Sequence, residues 1–146
     1  MNILALDVAT KTGWCTKTSH GTWDFKIKRD ESSGMRLIRF KAKILELLKL
    51  ENINVVVFER SAGRHASSVI VQSELHGVLK SICEENNIQY KAYSAKEIKS
   101  YATGNGNASK TAMIKKAQEK LDSSVEDDNE ADAMWLYQLA KEDLNG

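Results

Sequence analysis

The chain has 146 residues, 42% apolar and 28% charged, with 8 glycines and no proline. That is the size and composition of one globular domain able to bury its own core, and it excludes collagenous, low-complexity and fully disordered chains. The net charge of +1 hides a segregation: residues 126–146 hold seven acids against Lys141, leaving a basic body ahead of an acidic end. Such a division fits a polyanion-binding face beside a cation-binding site, or a plainly solvated surface.

In chain order, residues 2–8 are short, apolar and interrupted by Asp7, and they predict a buried strand. Residues 13–18 and 21–28 follow closely, with His20-Gly21 as the expected turn, so the first three strands predict an antiparallel meander. Residues 33–50 repeat apolar positions at helical spacing, and 53–58 form a β-branched run expected of a strand buried on both faces. Residues 66–86 predict a long helix and 89–93 a fifth strand. Helices are expected over 95–102, 109–121 and 128–142. The order predicts an α/β fold: a mixed five-stranded sheet, three strands antiparallel and two parallel, with helices on both faces in one domain over 1–146. No apolar run is long enough to span a membrane, and the N-terminus lacks the basic start of a secretory signal. Cys15 and Cys83 have no metal-ligand spacing and are expected as reduced core thiols. A cytoplasmic protein is the expectation.

Sites in such sheets collect at the carboxyl ends of central strands. Asp7 ends the first strand and Glu59 the fourth, which sets two carboxylates on one sheet edge. Asp7 could instead cap a turn, and Glu59 could pair with Arg60 or Arg64. On the last helix, residues 128, 132, 135, 136 and 139 share a face, so Asp132 interrupts the apolar stripe. Capping accounts for Asp127 and Asp128 at the helix start but not for Asp132. Converging carboxylates repel one another unless a cation sits among them, and hard, oxygen-ligated Mg²⁺ or Mn²⁺ is the natural occupant. Lys110 falls on the apolar stripe of its helix, either snorkelling from the first turn or aimed at a phosphate beside the acids. The preceding Thr103-Gly104-Asn105-Gly106-Asn107 loop leads to a helix N-terminus able to hold a phosphate.

Together these blocks resemble the RuvC family of Holliday-junction resolvases, of ribonuclease-H-like fold, and in size most closely its phage-encoded members. Residues 4–14 are similar to the family's first-strand motif, an acid, a turn and a glycine opening the second strand. Val55-Val56-Val57-Phe58-Glu59 resembles the second acidic strand, Ile98-Lys99 with Gly104, Gly106, Ala108 and Lys110 the basic segment, and Glu130-Ala131-Asp132-Ala133 the closing helix. The resemblance implies a Mg²⁺-dependent endonuclease that acts as a homodimer and resolves branched DNA by paired nicks. Asp7, Glu59 and Asp132 would be metal ligands, with Lys99 and Lys110 on phosphates near the scissile bond. The family's usual Asp or His before the last acid is Asn129 here, and Asp128 is taken as the fourth ligand. The stretch from Glu59 to His65 has no aromatic residue, so Arg60 and Arg64, with Lys96, are expected to grip backbone phosphates. Ser94 stands where a proline is common. The helix over 66–86 is the expected dimer face, unless its own sheet consumes the apolar surface. A ribonuclease acting on RNA–DNA hybrids and a non-cleaving junction-binding protein are the alternatives; an actin-like nucleotide binder lacks room for its second domain.

Overall fold

The structure, a computed structural model, describes residues 1–61 and 66–145. Five strands, β1 (Ile3–Asp7), β2 (Lys11–Cys15), β3 (His20–Asp24), β4 (Val55–Glu59) and β5 (Gln89–Tyr93), form one sheet in the order β3-β2-β1-β4-β5. The β1–β2 and β2–β3 pairs are antiparallel, and the β1–β4 and β4–β5 pairs are parallel. Among the described residues five helices complete the fold: α1 (Gly34–Leu50), α2 (Ala66–Glu85), α3 (Ala95–Thr103), α4 (Lys110–Lys120) and α5 (Asp128–Asn145). The expected mixed sheet with helices on both faces is the architecture found.

Alternation along the central strands builds two cores. Ile3 and Ala5 of β1, with Val55 and Val57 of β4, pack under residues of α3, α4 and α5. Leu4, Leu6, Val56 and Phe58 point to the opposite face, among Phe40, Ile44, Leu75 and Leu79 of α1 and α2. Both central strands are therefore apolar up to their last residue, as strands covered on both faces must be. Continuing the alternation, Asp7 and Glu59 fall in phase with Ile3–Ala5 and Val55–Val57, on the α5 side. Cys15 and Cys83 are buried, unpaired thiols on opposite faces of the sheet.

The meander differs from the expectation in its punctuation. The turn is not His20-Gly21 but the four residues before it: Thr16 N–H donates to Ser19 O at 2.8 Å, and both residues also bond through their side chains. His20 and Gly21 are already in β3, paired with Cys15 and Trp14. Nor does β3 run to residue 28. Phe25 N–H turns back to Thr10 O at 2.8 Å, its ring is buried, and Asp24 Oδ1 accepts from Lys26 N–H at 2.9 Å. Hydroxyl and carboxylate side chains thus end β2 and β3 by offering the backbone local partners. Ser94 is the N-cap of α3 in a full capping box with Glu97, which explains a serine at that point. Gly13 does not open β2 but sits at its centre, opposite Asp7.

Candidate metal centre and nucleic-acid interface

Leu6 pairs with Phe58 in parallel register, so Asp7 and Glu59 are the next residues out on adjacent strands, about 5 Å apart in backbone. Asp7 is 8% exposed. Burial pushes its carboxyl well above the usual range, and the charges of Glu59, Asp132, Asp128 and Asp127 add to the shift. Burial likewise raises Glu59, against the opposing pull of Lys99. Asp132 is pushed up to about 7 by burial and by Glu59 and Asp128, with Lys99 and Lys110 opposing. Three acids from β1, β4 and α5 thus sit within one another's fields. Among the described residues none of the three makes an ion pair. Buried carboxylates without a cationic partner are costly, and neutralisation by protons or by a cation is the remedy open to them. Among the described residues no three acidic, histidine or cysteine side chains form a closed chelating group as they stand. The arrangement is a convergence of hard oxygen donors, suited in kind to Mg²⁺ or Mn²⁺.

The start of α5 sorts the remaining acids. Asp127 Oδ1 accepts from Glu130 N–H at 3.0 Å, and its Oδ2 lies 2.7 Å from Lys11 Nζ. Asp127 is therefore the helix cap, and the capping expected of Asp128 as well is not seen. Asp128 is partly buried, paired among the described residues only with Lys110 at 3.5 Å, and sits beside Asp132. Asp132 does not interrupt a narrow stripe. α5 is buried on several sides, through Ala131, Ala133, Met134, Trp135, Leu136 and Tyr137. Asp132 lies where this helix passes the ends of β1 and β4.

The basic residues flank this cluster with different degrees of constraint. Lys99 is partly buried on α3 and bears electrostatically on both Glu59 and Asp132. Lys110 is not inward-facing as its helical phase suggested: its side chain is 83% exposed, because a first-turn residue of α4 has no preceding turn to pack against, and it reaches Asp128. Lys96 is exposed, and its stem packs on Gly106, where a Cβ would stand 2.7 Å from Lys96 Cγ. Arg60 is exposed, with its N–H donating to Tyr93 O at 2.7 Å, just past the β4–β5 ladder. No Glu59–Arg60 pair is formed, and Arg64 lies outside the described residues. Ser109 caps α4 by accepting from Ala112 N–H at 3.1 Å.

The structural roles of three residues went unread in the sequence. Lys11 holds Asp127. Gly13 allows α5 to touch the sheet: a Cβ there would lie 1.9 Å from Asn129 O. A glycine inside a strand pattern is the available signal for such close approach. His20, expected in a turn, bonds both Glu130 and Asp122, and nothing in its sequence surroundings marked that.

A family profile described as "Crossover junction endodeoxyribonuclease RuvC" matches residues 16–137, a span that holds Glu59, Lys99, Lys110, Asp128 and Asp132 and begins after Asp7. A relative of that name from Brachyspira hyodysenteriae is 32% identical over 109 residues, covering 74% of this chain and 68% of its own. Another from Caldicellulosiruptor saccharolyticus is 27% identical over 146 residues, covering 92% and 88%. The fold superposes on the Thermus thermophilus RuvC structure with a TM-score of 0.79 at 18% identity, over 99% of this chain and 97% of that one. The same protein in complex with Holliday junction substrate gives 0.78, also at 18% identity, over 95% and 92%. With most of its length matched, at this identity and in this fold, the chain belongs to the RuvC family of crossover junction endodeoxyribonucleases.

Proposed function

We propose that the protein is a Mg²⁺-dependent endonuclease that resolves four-way DNA junctions by paired nicks as a homodimer. The observation that carries this reading is the meeting of Asp7, Glu59 and Asp132 from three separate elements, the first buried and the other two half-buried, none in an ion pair among the described residues and all raised in pKa. In this reading these three hold the metal, and Asp128 supplies the fourth carboxylate. Mg²⁺ held by these carboxylates, with Mn²⁺ able to substitute, would supply water activation and charge neutralisation at the phosphate. A bound cation would offset the burial and mutual repulsion that raise all three carboxyls. Lys110, on an exposed stem beside Asp128, meets the reacting phosphate and stabilises charge as it develops. Lys99, between Glu59 and Asp132, orients the same strand. Lys96, Arg60 and Arg64 grip phosphates further along the backbone and supply affinity rather than chemistry. Complex formation between the Thermus thermophilus relative and a Holliday junction supports four-way DNA as the substrate.

The test is cleavage of a four-way junction, a flap, a linear duplex and an RNA–DNA hybrid, each with Mg²⁺ and with chelator. Junction cleavage that requires Mg²⁺ is expected. Asp7→Asn, Glu59→Gln and Asp132→Asn are each expected to lower the rate at least 1,000-fold while junction affinity in chelator stays within about threefold of wild type. Near-normal cleavage by any one of them breaks the three-carboxylate site. Preference for the hybrid moves the protein to a ribonuclease reading, and tight junction binding without any cut to a binding protein.

A further inference from the structure

The first turn of α5 carries acids on two opposite sides. At 100° per residue, Asp128 and Asp132 lie about 40° apart, whereas Glu130 is about 160° away from both. Glu130 points to the edge strand β3, where its Oε2 is 2.5 Å from His20 Nδ1. The other ring nitrogen, Nε2, lies 3.0 Å from Asp122 Oδ2, in the connection between α4 and α5. Asp122 is itself fixed, accepting from Ser124 N–H at 2.9 Å and Ser124 Oγ–H at 2.6 Å. The imidazole is partly buried, at 28% side-chain exposure. Carboxylate oxygens only accept, so both contacts are made together when both ring nitrogens carry hydrogen. Beside this bridge, Asn129 O rests on the backbone of Gly13, which acts as a pivot.

From this geometry we propose that His20 is a positioning residue: by clamping Glu130 and Asp122 it holds the first turn of α5 and so aims Asp128 and Asp132 at Asp7 and Glu59. The buried residues from Ala131 onward seat the body of the helix, and the Gly13 contact fixes how near its first turn comes to the sheet. The clamp fixes that first turn on the side away from Asp128 and Asp132. With side chains at a radius of roughly 5–6 Å from the helix axis, a 10° rotation displaces a carboxylate by about 1 Å. An error of that size is enough to impair a metal-assisted reaction by one to two orders of magnitude. The inference rests on the reading of Asp128 and Asp132 as metal-holding groups, and it gives β3, remote from the chemistry, a part in assembling the site.

The experiment uses the full chain and four variants: His20→Ala, Glu130→Ala, the double variant, and Glu130→Gln, which keeps an oxygen to accept from His20. Three quantities are measured: the rise in Tm on titration with Mg²⁺ alone, junction affinity in chelator, and the single-turnover cleavage rate with enzyme saturating. His20→Ala is expected to raise the Mg²⁺ midpoint of the Tm rise at least fivefold and to slow saturated cleavage at least tenfold, with affinity in chelator within twofold of wild type. Glu130→Ala should match it and the double variant be no worse than either, because the two residues act as one contact. Glu130→Gln should recover at least half of what Glu130→Ala loses. A His20→Ala protein that melts earlier yet keeps its Mg²⁺ midpoint and saturated rate overturns the inference and leaves the metal-site reading standing. A wild-type protein whose Tm ignores Mg²⁺ overturns both.

Discussion

Gly13 shows how much one absent side chain can decide. A Cβ at this position would meet Asn129 O at 1.9 Å and Asn129 C at 2.2 Å, and both are backbone atoms that cannot swing aside. An alanine must push the first turn of α5 off β2, and Asp128 and Asp132 move with it. Overpacking of this kind costs about 1–3 kcal/mol. In a domain of this length that is a Tm lower by about 3–10 °C. Gly13→Ala is expected to melt in that range below wild type and to lose Mg²⁺-dependent cleavage of the junction far beyond what the remaining folded fraction explains. Wild-type melting together with wild-type cleavage would show that α5 does not need this approach. Gly106 differs in kind. Its near neighbours are the Lys96 stem and the Ser100 hydroxyl, side-chain atoms that can give way.

Among the elements, α2 is the one whose surface does not match its expected use. Of the apolar residues that suggested an interface, Leu75, Leu79 and Ile82 are buried against the protein's own sheet, and Cys83 with them. Ile70 remains 60% exposed, with Ile38 of α1 at 61%. Between the two helices runs an open groove of about 470 Å³ lined by Leu37, Ile38, Val78 and Ile82, with Lys41, Glu74 and Glu85 at its rim. If the proposed homodimer forms across this face, Ile70→Glu with Ile38→Glu places charge at its centre without touching the core. Sedimentation is expected to show a 32 kDa species for wild type, twice the 16.3 kDa chain, and a 16 kDa species for the double variant. Wild type that sediments as a monomer, free and on junction DNA, removes the homodimer. How far each element could be read follows from the same physics. β1 and β4 were legible because burial on both faces leaves continuous apolar runs, and Asp7 and Glu59 stood out as the acids that ended them. The limits of β2 and β3 were not, because they depend on Thr16, Ser19 and Asp24 bonding nearby backbone, which hydrophobic pattern does not register. The division between Asp127 as cap and Asp128 as the acid beside Lys110 was hidden for a related reason: adjacent acids look alike until Lys11 and Glu130 N–H select one of them.

For the whole molecule, stability is a contest between groups that titrate in opposite senses. Asp7, Glu59 and Asp132 are all raised, Asp132 to about 7. His76 of α2 is buried beside Phe58 with no partner for its Nε2 among the described residues, and burial, aided by Lys80, lowers it to about 4. For a raised carboxyl the folded state keeps a proton that the unfolded chain has released, so its contribution is whole below about pH 4 and is lost as pH rises through about 7. For His76 the unfolded chain takes a proton below about 6.5 while the folded imidazole stays neutral until about 4, so its contribution is whole above pH 6.5 and is lost as pH falls through that window. The two slopes oppose each other between pH 4 and 6.5, and a wild-type melting curve alone would hide both. Comparing wild type with Asp132→Asn separates them, since His76 is common to the pair and cancels. In chelator at pH 8, Asp132→Asn is expected to be the more stable protein by about 1–3 kcal/mol, because it no longer confines an ionised carboxyl among like charges. At pH 5 the folded wild-type Asp132 carries its own proton, and the gap should shrink by more than half. Mg²⁺ added at pH 8 should close it from the other side, raising the Tm of wild type and leaving Asp132→Asn little changed, because a ligand stabilises only the state that binds it. A gap that stays constant from pH 8 to pH 5, or widens, would mean that Asp132 is an ordinary ionised carboxylate and that the cluster holds no charge in need of a cation.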